Sequence, residues 1–136
     1  MSSEFVGKWE LVESENFDAY MKHVGFNFLA RKVAATLKPT VEITIDGERW
    51  RIALITPFKT IVTKFELDRE FEEESSDGRQ VKSTCHMVNG KLVQKQRAQK
   101  PGERDSLIER HVEAGRLFMA MECDGVRATR IYRRVE

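Results

Sequence analysis

Cysteine is scarce in this chain: 136 residues carry only Cys85 and Cys123, far apart and without a CxxC spacing. That excludes a disulfide scaffold and gives no zinc-site pattern, so both are expected as reduced, buried small hydrophobes. Long apolar runs are missing too. No segment is long enough to span a bilayer, and Glu4 and Lys8 interrupt "MSSEFVGKWE" where a signal peptide needs an apolar stretch, so a cytoplasmic protein is expected. Charge of one sign is also lacking. Twenty-three Lys and Arg against 22 Asp and Glu leave +1, which provides no global basic field for nucleic acid. Neither GxSxG nor a P-loop occurs. His23, His86 and His111 could be combined with Ser83 and Asp77 into a triad, but none has local motif context, and they read as surface histidines. Without repeats, low-complexity segments or linkers, residues 1–136 are expected to form one domain.

Turn signals are abundant. Asp-Gly occurs at Asp46-Gly47, Asp77-Gly78 and Asp124-Gly125, Asn-Gly at Asn89-Gly90, Pro-Gly at Pro101-Gly102, and "EAG" at Glu113 to Gly115. Between them lie short β-branched and aromatic runs such as "TVEITI", "TIVTKFEL" and "RLFMAMEC". This punctuation predicts an antiparallel β meander, closed as a barrel or packed as a sandwich. One region departs from it. Phe17, Tyr20, Met21 and Val24 recur at i, i+3, i+4 and i+7 on one helical face, with Asn16 as the expected N-cap. After Gly25, "FNFLARKVAATLK" reads as a second short helix with an apolar face to bury, stopped by Pro39. A DNA-binding helix-turn-helix is disfavoured, because that face needs a core and the chain offers no basic partner.

Several strands place polar residues where a core should be. Arg110 shares its side with Ile108 and Val112, Gln94 and Gln96 share theirs with Leu92, and Ser83 lies with Val81 and Cys85. In the last strand, Arg130 and Tyr132 alternate against Thr129, Ile131 and Arg133. A packed sandwich would leave Arg110 and the glutamines unsatisfied, whereas a water-containing cavity with an anionic ligand would not; solvent-facing strand ends are the alternative. Arg pairs with a carboxylate through two N–H groups, and a Tyr hydroxyl can add a third bond. Met119, Met121 and Phe17 would give a deformable lining suited to a hydrocarbon tail. That combination describes a fatty acid.

The residues also resemble the intracellular lipid-binding proteins, the cytosolic fatty-acid-binding family. "GKWELVESENFDAYMKHV" (Gly7 to Val24) is similar to the family signature. "ARKVAATLKPT" resembles its second helix, "TPFKT" and "FELDREFEEESSDGRQVKS" its middle strands, and "TRIYRR" its last strand. The resemblance implies an all-β, ten-stranded antiparallel up-and-down barrel of the lipocalin-like calycin type, with a helix-turn-helix lid between the first two strands. It implies a non-enzymatic, monomeric carrier of long-chain fatty acids without cofactor or metal, with retinoic acid or another hydrophobic carboxylate as the alternative ligand. Carried over to this chain, the carboxylate would meet Arg110, Arg130 and Tyr132, so Arg130 and Tyr132 would point inward. The tail and portal would use Phe17, Tyr20, Met21, Phe58, Met119 and Met121. Lys22, Arg31, Lys32 and Lys59 would form a rim for transient contact with anionic membranes; nuclear entry stays open, and nucleic acid is not an expected partner. Two stretches depart from the family. "QRAQKPGERDS" (Gln96 to Ser106) is longer and more polar than the usual turn, and Trp50 and Leu54 replace small or polar residues, which implies a more apolar wall.

Overall fold

In a computed structural model that describes residues 2–75 and 78–135, β1 (Gly7–Glu15) is followed by two helices, α1 (Phe17–Val24) and α2 (Phe28–Thr36). The chain then continues as β2 (Thr40–Asp46), β3 (Arg49–Ile55), β4 (Thr60–Glu66), β5 (Phe71–Glu74), β6 (Gln80–Val88), β7 (Lys91–Ala98), β8 (Ser106–Glu113), β9 (Arg116–Cys123) and β10 (Val126–Arg134). Ladder order is β4-β3-β2-β1-β10-β9-β8-β7-β6-β5, each pair antiparallel, so the meander nearly closes into a barrel. β4 and β5 are its two ends and face each other across a seam that the ladder does not bridge.

The turn chemistry explains the meander. Asn89 and Gly90, with φ of 50° and 80°, and Asp124 and Gly125, with φ of 48° and 83°, both fit tight hairpin loops that need two positive-φ residues in succession. Asp77, of the expected Asp77-Gly78 turn, lies outside the described residues. The long β7–β8 connection does not disturb the register, because Gln96 pairs with Ser106, Gln94 with Ile108 and Leu92 with Arg110.

Both helices form where the sequence places them, with three differences in detail. Asn16 precedes α1 but its side chain does not cap it; it sits in the left-handed region, and its Nδ2 donates instead to the Arg127 carbonyl at 2.7 Å, tying helix to β10. The true side-chain cap belongs to α2, where Asn27 Oδ1 accepts from the Ala30 N–H at 2.8 Å. Pro39 does not end α2 directly: the helix stops at Thr36, and the Leu37 N–H donates to the Ala34 carbonyl. The expected burial of the apolar face of α2 is also corrected. No side chain of α2 is buried, and Phe28, Leu29 and Val33 are 64%, 71% and 43% exposed. The helix spans an opening instead of covering a core.

The interior is packed at both ends. A 3-10 turn at Ser2–Phe5 brings Phe5 to the end remote from the helices, where Trp9 Nε1 donates to the Phe5 carbonyl at 3.0 Å. Trp50, Phe65 and Phe71 extend this cluster by ring stacking. At the other end, Tyr20, Met21 and Val24 of α1 pack with Ile108, Met121, Cys123 and Ala128. Cys85 and Cys123 are both free and buried, and burial pushes the Cys85 thiol up to about 12. Among the described residues no helix is long and apolar enough to cross a membrane.

Candidate functional site

β10 turns Arg130 and Tyr132 into the barrel and leaves Thr129 and Arg133 exposed. Arg130 retains 8% of its accessible surface and Tyr132 retains 2%. Arg130 Nε donates to Ser14 Oγ at 3.2 Å, and its guanidinium lies 4.0 Å from the centre of the Phe17 ring. Burial pushes the Tyr132 phenol up, opposed by the charges of Arg130 and Arg110; burial lowers Arg130, opposed by Tyr132. Arg110 and Arg130 are both in register with Met119 of β9. Arg110 Nη1 donates to Gln94 Oε1 at 2.9 Å.

These three side chains line an interior space of about 180 Å³, open in part to solvent. Ile52, Leu54, Leu117, Met119 and Met121 supply apolar walls. Tyr20 reaches the same space; its hydroxyl is hydrogen-bonded to Ser106 Oγ, and burial pushes its phenol up. A second space lies beneath α2, bounded by Met21, Leu29, Val33, Phe58 and Lys59. It shares Phe17, Phe26, Leu54, Ile61 and Arg130 with the first, so the gap under α2 leads to Arg130. Phe58, 75% exposed, stands at its edge.

One polar group in the wall escaped sequence reasoning. Glu73 reads as part of the acidic run "EFEEE", which suggests a solvated segment. On β5, however, Phe71 and Glu73 turn partly inward while Glu72 and Glu74 are exposed. Glu73 accepts from Ser83 Oγ, from Gln94 Nε2 at 2.6 Å and from Gln96 Nε2 at 3.3 Å. Gln94, Gln96 and Ser83, conspicuous as polar residues on apolar faces, are thus satisfied by this carboxylate. The alternation of Phe71 and Glu73 was the signal available.

The cation rim is only partly assembled. Arg31 Nε pairs with Asp18 Oδ1 at 3.1 Å and its Nη1 donates to the Phe26 carbonyl at 3.0 Å, leaving the side chain 15% exposed. It holds the two helices together and does not stand free at a rim. Lys22 and Lys32 are exposed, with Lys32 Nζ 5.5 Å from the Phe28 ring centre.

No catalytic triad comes together among the described residues: Ser83 is bound to Glu73, while His86 pairs with Asp68 at 2.6 Å and His111 stacks on Phe118. Asp77 lies outside the described residues. His23, Cys123 and Asp124 offer ligand atoms within 4.8 Å of one another, but Arg104 Nε already occupies Asp124 Oδ2 at 3.2 Å, and none of the three lines the interior.

A ten-stranded meander barrel, lidded by two helices over an apolar space with inward arginines, defines a calycin-type binding barrel. The chain belongs to the lipocalin/cytosolic fatty-acid binding protein family, whose model matches residues 6–135. It is 42% identical to fatty acid-binding protein homolog 6 of Caenorhabditis elegans over 132 residues, 97% of this chain and 98% of that one. It is equally identical, 42%, to sodium/calcium exchanger regulatory protein 1 of Doryteuthis pealeii, with both chains covered in full. Among solved structures, the Schistosoma mansoni fatty acid binding protein in complex with arachidonic acid superposes with a TM-score of 0.91 at 36% identity, covering 98% of each chain.

Proposed function

We propose that the protein is a non-enzymatic, monomeric intracellular carrier of long-chain fatty acids whose carboxylate is held by Arg110, Arg130 and Tyr132. The observation that carries this reading is that Arg110, Arg130 and buried Tyr132 line one mainly apolar interior space, with both arginines in register with Met119 of β9. A carboxylate there accepts paired N–H donors and a phenolic O–H in a shielded setting, while the tail lies along Met119, Met121 and Phe17. Fatty-acid ligands named for its relatives support the same class. Retinoic acid carries the same head group and is the alternative. Native mass spectrometry of freshly purified protein, with lipid extraction, tests both: a copurifying long-chain acid is the expected result. A retinoid would select the alternative, and an empty barrel that turns over a substrate would overturn the reading.

Ligand passes, on this reading, through the gap under α2, and exposed Phe28, Leu29 and Phe58 with Lys22, Lys32 and Lys59 make contact with anionic membranes. Each cation near such a surface contributes about 1 kcal/mol. Transfer of a fluorescent fatty acid to vesicles is expected to accelerate with anionic lipid content, and Lys22→Glu with Lys32→Glu to flatten that dependence at unchanged equilibrium affinity. Arg31 is a poor choice for this test because reversing it breaks the Asp18 pair. Rates indifferent to vesicle charge and concentration would mean release through water.

A further inference from the structure

Glu73 puts a carboxylate inside a space whose arginines suit a different carboxylate, and its two oxygens are unequally used. Oε2 takes three donors: Ser83 Oγ, Gln94 Nε2 and Gln96 Nε2. Oε1 takes one long bond, from Thr63 Oγ1 at 3.4 Å across the β4–β5 seam. An ionised carboxylate offers about four lone-pair sites, so Oε1 keeps acceptor capacity where Glu73 lines the interior.

The carboxylate is held through its other oxygen. Arg110 donates to Gln94 Oε1, which commits the Gln94 amide N–H to Glu73. Arg110, Gln94 and Glu73 Oε2 thus form one directed chain, while Oε1 faces Thr63, which lines the same space. A plain alkyl chain laid there displaces water from Oε1 and gives nothing back, leaving a charged acceptor underbonded. An alcohol on the ligand replaces that water with a charge-assisted O–H···O bond. A site with a dedicated hydroxyl acceptor penalises the analogue that lacks the hydroxyl.

We propose that Glu73 Oε1 is a hydroxyl-binding subsite, and that the preferred ligands are long-chain acids bearing an alcohol on the chain. This rests on the fatty-acid reading above and narrows its ligand class. The group that confers the preference is the acceptor Glu73, with Gln94 as the positioning residue.

The test is calorimetric titration of the full chain with a plain saturated acid, its positional hydroxy isomers, and the methyl ether of the best isomer. One hydroxy isomer is expected to bind about tenfold tighter than the plain acid, with the ether, which accepts but cannot donate, showing no gain. Glu73→Leu should abolish the preference while improving binding of the plain acid. Because that change strips four donors of their acceptor, Glu73→Gln serves as the near-isosteric variant and should reduce the preference several-fold. Hydroxy isomers that all match the plain acid, an ether equal to its alcohol, or a preference undiminished in Glu73→Gln would each overturn the subsite and leave the carrier reading standing. If no acid binds at all, the carrier reading falls first.

Discussion

Replacing Arg130 with Gln is expected to weaken fatty-acid binding by about 2–4 kcal/mol, while a fatty alcohol of equal length loses much less. Arg130 is nine-tenths buried, so its charge is shielded from water, and its Nε is already engaged by Ser14. The remaining N–H groups are the ones a carboxylate can pair with. Gln preserves some hydrogen bonding but removes the charge, and also the cation–π contact with Phe17. An alcohol has no charge to pair, so its affinity depends chiefly on the tail. Titration calorimetry with both ligands on both proteins decides the matter, and equal losses would sink the carboxylate assignment. The empty protein should not suffer: an arginine held in the interior without an anionic partner is costly, so the melting temperature is expected to stay level or rise.

The strands were legible because each hairpin carries its own local instruction. Asn89-Gly90 and Asp124-Gly125 dictate backbone conformation within two residues, and alternation then assigns every side chain to a face. Arg110 stood out for the same reason, as a charged residue on an apolar face, whereas the inward turn of Arg130 and Tyr132 was implied by the resemblance of "TRIYRR" to the family's last strand. What the sequence concealed depends on long-range partners. Asn16 has the residue type and place of a cap, but the Arg127 carbonyl, brought near by the barrel, captures its amide. The amphipathic pattern of α2 does not distinguish a face packed on a core from one laid over an opening; only the gap beneath it decides, and Phe28 and Leu29 stay exposed. Arg31 looked like a free cation until folding placed Asp18 and the Phe26 carbonyl beside it. Glu73 was hidden by its neighbours, since an acidic run reads as solvated whichever member points inward.

Trp50→Ala is expected to have the opposite signature to Arg130→Gln: a large loss of stability with little change in affinity. Trp50 is 2% exposed, packs edge-on against Phe5 with centroids 5.6 Å apart, and stacks on Phe65 at 5.8 Å. Phe65 in turn stacks on Phe71 at 5.3 Å, so one indole links the N-terminal turn to β3, β4 and β5. Truncating a buried aromatic of this kind costs about 3–5 kcal/mol, a large share of the roughly 5–15 kcal/mol that stabilises a domain. At about 3 °C per kcal/mol for a chain of this size, the melting temperature should fall by roughly 10–15 °C. None of the cluster formed by Phe5, Trp50, Phe65 and Phe71 lines the ligand space, which begins with Ile52 and Leu54 further along β3. At a temperature where the variant is folded, its fatty-acid affinity should therefore lie within about 0.5 kcal/mol of the unmodified protein, the usual limit for distant sites. Urea denaturation gives the stability and calorimetry the affinity. A stability loss below about 1 kcal/mol would show that the aromatic cluster is not what closes the barrel, since even surface substitutions reach half that. An affinity loss comparable to that of Arg130→Gln would mean that the two ends of the barrel are coupled, with the ligand sensing the closure of the end it does not touch.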